Sequence, residues 1–208
     1  MSVALALNSR IDAVVIGASA GGVEALSVLL PKLPASLRAA VFIVLHLPRG
    51  RPSLLSEIFA PKCAVPVKEA EDKEPVQPGV VYFAPPDYHL LVDEGPRVAL
   101  SVDDAVHYSR PSVDVLFESA ADIYGQRLLG LILTGASEDG AAGLEAVRTA
   151  GGMTVVQQPQ GTYEAQMAIS ALRRGPADFV GPIAGIAELL GSLACAQPGA
   201  PRAPAKGS

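Results

Sequence analysis

Four short, almost uninterrupted aliphatic runs limit what this chain can fold into: residues 11–16 (IDAVVI), 40–45 (AVFIVL), 128–134 (LLGLILT) and 154–157 (TVVQ). A strand with one wet face alternates apolar and polar side chains. A run that is apolar throughout belongs to a strand covered on both faces, as in a parallel sheet. Segments with helical spacing follow these runs, at residues 22–30, 52–60, 140–150, 164–173 and 183–194. Repeated strand-then-helix order predicts an α/β fold: a doubly wound, mostly parallel sheet with helices on both faces. The middle of the chain breaks the alternation. Residues 80–84, 89–92 and 98–102 are short apolar runs separated by Pro85-Pro86-Asp87 and by residues 93–96 (DEGP), and they read as an antiparallel hairpin insertion. Pro111 then opens a helix over residues 112–124, with Asp114 placed where the helix dipole favours an acid.

At 208 residues, half of them hydrophobic, the chain can bury one core of ordinary size without a disulfide or metal to staple it. The expected division is an N-terminal extension over 1–10, one folded unit over 11–196, and a disordered Pro/Ala/Gly-rich tail over 197–208. A net charge of −5 with no Lys/Arg run argues against a nucleic-acid partner or a polybasic membrane surface. Cys63 and Cys195 stand far apart, without His or Cys neighbours at metal spacing, which fits a reducing compartment. No helical His-x-x-x-His spacing marks a catalytic metal, and no cofactor is expected. Residues 1–10 lack the pattern of a signal peptide, and the apolar window 13–30 is broken by Glu24 and by Gly/Ser residues. The expectation is a cytoplasmic protein with no membrane insertion.

The first feature with chemical content is Gly17-Ala18-Ser19-Ala20-Gly21-Gly22, between a strand and a helix. Gly17-x-Ser19-x-Gly21 fits the turn that projects a serine hydroxyl at a sheet edge, where the next helix offers unpaired N–H groups to a developing oxyanion. The same turn reads equally as a phosphate loop, with Ser19 capping the helix. As a dinucleotide fingerprint it is imperfect: Ser19 replaces the middle glycine, and no acid follows the second strand. Arg49 and Arg51 keep open a version that binds the 2′-phosphate of NADP.

His46 stands where the second strand runs out, and Asp139 on a Gly-flanked turn after the third. In a doubly wound sheet these strand ends share one edge with Ser19. A base must touch the nucleophile and an acid must orient the base, and Ser19, His46 and Asp139 supply those residue types there. Taken alone, His46 reads as structural and Asp139 as a helix N-cap, with Ser137 and Glu138 competing for the turn's role. His89, in the hairpin insertion, reads as structural or pocket-lining, and His107, in a polar loop, as solvated.

Together these residues resemble a known family. Val15-Ile16-Gly17-Ala18-Ser19-Ala20-Gly21-Gly22 is similar to the nucleophile turn of CheB-type protein-glutamate methylesterases, the chemotaxis receptor demethylases. So are Leu45-His46-Leu47-Pro48, Val67-Lys68-Glu69-Ala70-Glu71-Asp72, the segment from Pro78-Gly79 to Ala84-Pro85, Ser109-Arg110-Pro111-Ser112-Val113-Asp114, and Leu133-Thr134-Gly135 with Asp139-Gly140-Ala141-Ala142-Gly143. The resemblance runs from about residue 11 to residue 190. It implies a Ser19–His46–Asp139 triad that hydrolyses the methyl ester of a receptor glutamate with release of methanol, and that deamidates receptor glutamines by the same route. Oxyanion donors at the backbone of Ala20 and Ala136 are implied, with the cytoplasmic helices of methylated chemoreceptors as partners.

Three departures accompany the resemblance. Ala136-Ser137 stands where Met-Gly is usual, and Tyr163-Glu164-Ala165-Gln166-Met167-Ala168 replaces a usual Phe-Gly-Met-Pro segment. No receiver domain precedes the first strand, so the expectation is a stand-alone catalytic domain, unregulated or controlled by a separate protein. Two other readings remain beside the esterase: a non-catalytic relative that docks a receptor, and an NADP-binding enzyme.

Overall fold

The computed structural model describes residues 11–47, 53–161 and 163–195. The expected extension and tail lie outside them, as do Arg49 and Arg51.

Seven parallel strands form one sheet: β1 (Ala13–Ala18), β2 (Ala40–Leu45), β3 (Val67–Glu69), β4 (Val81–Phe83), β7 (Leu128–Ile132), β8 (Met153–Gln157) and β9 (Phe179–Gly181). Their spatial order is β3-β4-β2-β1-β7-β8-β9. From β1 the chain passes to β2, then out to the edge strand β3, and back to β4 between β3 and β2. It then returns to the other side of β1 and winds outward again through β7, β8 and β9. The direction of winding therefore switches between β1 and β7, which is where the carboxyl ends of an open α/β sheet leave a crevice.

The helices are α1 (Gly22–Leu29), α2 (Leu55–Phe59), α3 (Val113–Tyr124), α4 (Ala141–Thr149), α5 (Gln166–Arg173) and α6 (Ile183–Gly191). Alternation along β1 shows why both faces need cover. Val14, Ile16 and Ala18 pack with Leu26 and Leu29 of α1 and Ile186 and Leu190 of α6. Ala13 and Val15 join Leu116 and Phe117 of α3, Leu144 and Val147 of α4, and Met167 of α5 on the other face. Every residue of β1, β2 and β7 is buried, the reason these strands read as unbroken apolar runs.

The insertion is smaller than expected. Only β5 (His89–Asp93) and β6 (Arg97–Ser101) form an antiparallel hairpin, and it packs on α3 through Leu90, Val92 and Val98. Residues 80–84, expected in that insertion, instead supply β4, which pairs in parallel with both β2 and β3. The cause is burial: Val81, Tyr82 and Phe83 are covered on both faces of the main sheet, with the Phe42 and Tyr82 rings stacked at 5.4 Å. The strands β3 and β9 were not expected at all; each is only three residues long.

Candidate active site

The central strand and its two neighbours deliver the three candidate side chains to one edge. Ser19 follows β1, His46 follows β2, and the loop carrying Asp139 follows β7. The register carries past the strand ends: the His46 amide donates to the Ala18 carbonyl at 3.0 Å, and the Ser19 amide donates to the Thr134 carbonyl at 3.0 Å. Glycines make this convergence sterically possible. A side chain on Gly17 would overlap Val113 at the start of α3, and one on Gly135 would overlap Met167 and stand 2.8 Å from the Ser19 Cβ. Gly21 caps α1 in the left-handed conformation, at φ 76.

Asp139 is buried, and its carboxylate accepts hydrogen bonds from four donors. One oxygen, Oδ2, takes the His46 Nε2–H at 2.8 Å and the Val113 amide at 2.7 Å. The other takes the Ser112 hydroxyl at 2.8 Å and the Asp114 amide at 3.0 Å. Val113 and Asp114 open α3, so the carboxylate sits on the positive end of a 12-residue helix. Burial works to raise its pKa, but the bonds from His46, from the Asp114 and Val113 amides and from Ser112 prevail and hold it below the ordinary aspartate range. An ionised Asp139 fixes His46 in the tautomer with hydrogen on Nε2, leaving Nδ1 with a lone pair.

Two further residues brace this pair. Asp114, also buried, accepts the Gly140 amide at 2.9 Å and the Gly143 amide at 2.6 Å, clamping the Asp139 turn and the start of α4 onto α3. Burial raises the Asp114 pKa, with the Gly143 amide opposing and the nearby Asp139 charge adding to the rise. His89, only 1% exposed, accepts the Ser112 amide on Nδ1 at 3.1 Å and donates from Nε2 to the Asp104 carbonyl at 3.1 Å. It therefore holds Ser112, which in turn holds Asp139. His107, expected to be solvated, is half-exposed and lies 3.5 Å from Asp114.

Ser19 is partly exposed, and among the described residues its hydroxyl meets no hydrogen-bond partner, His46 included. The structure thus brings His46 and Asp139 into contact and sets Ser19 on the adjoining strand end. The amides of Ala20 and Ala136 meet no acceptor among the described residues, so two free donors flank the serine turn. Glu138 points outward as an exposed residue, and the Ser137 hydroxyl accepts the Asp139 amide at 3.1 Å, a local turn bond. His89 is structural, one of the two roles read for it in the sequence, but its link to Ser112 was not foreseen, nor were the bonds of Ser112 and Asp114 to the Asp139 turn. The local signals, Asp114 in the first turn of a helix and Ser112 just before it, say nothing of partners that lie 15 to 29 residues away.

A parallel α/β sheet with a histidine–carboxylate pair and a serine turn at its switch point defines a hydrolase-like class of α/β protein. Comparison with known proteins narrows the class. Residues 14–190 match the family model for CheB methylesterase, and the chain belongs to that family. A relative from Leptospira interrogans is 42% identical over 178 residues, covering 86% of this chain and 92% of its own length. The protein-glutamate methylesterase/protein-glutamine glutaminase of Symbiobacterium thermophilum is 40% identical over 177 residues, which are 85% of this chain and 49% of that protein. The chain thus spans nearly all of the first relative and about half of the second. The crystal structure of the Thermotoga maritima CheB methylesterase catalytic domain superposes with a TM-score of 0.82 at 35% identity, over 88% of this chain and 99% of that one.

Proposed function

We propose that residues 11–196 form a methylesterase catalytic domain in which Ser19 is the nucleophile, His46 the general base and Asp139 the residue that orients it. The observation that carries this reading is the 2.8 Å bond between His46 and a buried, ionised Asp139 on the strand end next to Ser19. His46 Nδ1 takes the Ser19 proton as the serine oxygen attacks the γ-carbonyl of a glutamyl methyl ester. The Ala20 and Ala136 amides receive the oxyanion. Collapse expels methanol, protonated by His46. Water, deprotonated by His46, then attacks the acyl-serine and releases a glutamate carboxylate. With a glutamine side chain the same steps expel ammonia.

Contact between nucleophile and base is made as substrate binds, a tightening common where free-enzyme geometry is loose. The proposed substrates are esterified glutamates on the cytoplasmic helices of chemoreceptors. The domain works on them in the cytoplasm, without a cofactor. Among the described residues no helix is long and apolar enough to cross a membrane.

Labelling with a fluorophosphonate, followed by peptide mass analysis, tests the assignment. The reading expects the label on Ser19, and a loss of labelling in His46→Ala. An unlabelled Ser19 in the folded wild type would favour the receptor-docking relative without turnover. The Arg49 and Arg51 on which NADP binding was argued fall outside the described residues.

A further inference from the structure

A cleft of about 440 Å³ opens beside the serine turn, at the carboxyl ends of β7 and β8 and between α1 and α5. Its walls include Gly21 and Thr134, the residue whose carbonyl holds the Ser19 amide, yet neither Ser19, His46 nor Asp139 lines it. It is therefore a space next to the reacting atoms and separate from them. Three glutamines, Gln157, Gln158 and Gln160, line it, and two carboxylates, Glu24 and Glu164, stand at its rim. Among the described residues no Lys, Arg or His lines the cleft, and neither carboxylate meets a cation.

The backbone of Glu164 is tied to the loop beside Ser19. Its carbonyl accepts the Gly135 amide at 2.7 Å and the Thr134 hydroxyl at 3.0 Å, both on the loop that touches Ser19. Its carboxylate reaches over the serine turn, with Oε2 at 3.4 Å from the place a Cβ on Gly21 would occupy. Glu164 also belongs to the segment 163–168, where this chain departs from the pattern of the proteins it resembles. The Gln157 side-chain carbonyl is taken by the Thr134 amide at 3.1 Å, which leaves its amino group without an acceptor among the described residues.

We propose that this cleft is a subsite for a basic side chain of the protein substrate, a Lys or Arg flanking the esterified glutamate, and that Glu164 and Glu24 select it. The inference rests on the esterase reading above and adds to it a choice among substrates. Among the described residues no cation competes for the two carboxylates, so a cationic side chain laid between them gains attraction without displacing an ion pair there. Its methylene stem fits against Ala165, Ala168 and Ile183, which line the same cleft.

The test uses fluorescent peptides carrying one γ-methyl glutamate, identical except for Lys, norleucine or Glu at the flanking positions, and measures binding to the full chain by polarisation. The Lys peptide is expected to bind about fivefold more tightly than the norleucine peptide and the Glu peptide more weakly still, with the spread vanishing in 0.5 M salt. In the double variant Glu24→Gln/Glu164→Gln the Lys and norleucine peptides should bind alike. Equal binding by the wild type, or a Lys preference that survives in the double variant, overturns the subsite. Ser19-dependent hydrolysis of p-nitrophenyl acetate by the wild type is measured alongside. If hydrolysis is present and the Lys preference absent, the subsite fails while the esterase reading stands. If hydrolysis is absent, the esterase reading itself fails.

Discussion

Asp139 has both oxygens filled by protein donors, and each donor has a different job. The His46 bond sets a tautomer, the two α3 amides neutralise charge, and the Ser112 hydroxyl fixes the carboxylate plane. Asp139→Asn keeps the shape but offers an amide N–H where acceptors are needed, so the wrong His46 tautomer is favoured. A fall in kcat of about 10⁴ with little change in KM is expected from steady-state kinetics. Ser112→Ala removes one charge-assisted bond of four, and kcat should fall about tenfold. The stability linkage has a definite sign. Since the folded pKa of Asp139 lies below its ordinary value of 3.8, its contribution is complete above that pH and disappears as pH falls through the folded value. Urea unfolding below pH 4 should show this loss in the wild type and a flatter dependence in Asp139→Asn. That Ser19, His46 and Asp139 share one sheet edge was legible in the sequence because each follows an obvious apolar strand. The link from His89 through Ser112 to Asp139 was not, because a residue that acts through its neighbour leaves no pattern of its own.

At the level of elements, the site depends on how closely α3 and the β7 loop approach β1. Gly135→Ala would force the loop away from Met167 and Ser19. A loss of about 1–3 kcal/mol in unfolding free energy is expected, together with slower fluorophosphonate labelling of Ser19. The far end of α3 titrates in the opposite direction. Burial, with Asp12 adding, pushes the Tyr124 phenol up to about 12, against the pull of Arg127, whose guanidinium lies 5.9 Å from the ring centre. The folded state holds that proton more tightly. Stability is therefore full below pH 10 and is lost as pH rises towards 12, by roughly 2–3 kcal/mol. Tyr124→Phe should flatten this alkaline limb in chemical denaturation. The elements that escaped sequence reading share a cause. β3, β4 and β9 are three residues each, too short for apolar periodicity to separate a parallel edge strand from a hairpin arm.

For the whole molecule, the doubly wound architecture was legible because strands buried on both faces must be apolar throughout. Which strands flank β1 is a matter of topology, and the strand ends beside Ser19 follow from it. The rule that sites gather where the winding reverses pointed to the edge at which the structure sets His46 against Asp139 beside the serine turn. What the apolar runs could not show is the cleft beside Ser19, since its walls are assembled from loops after three different strands. The family match extends over residues 14–190, so the central claim is one of chemistry: this domain hydrolyses a protein glutamyl ester through Ser19. The most direct measurement is methanol release from a methylated chemoreceptor preparation, with wild type and Ser19→Ala side by side. Release by the wild type and none by the variant is the expected result. Equal release by both, or none by a wild type whose receptor is shown to carry methyl esters, would contradict it.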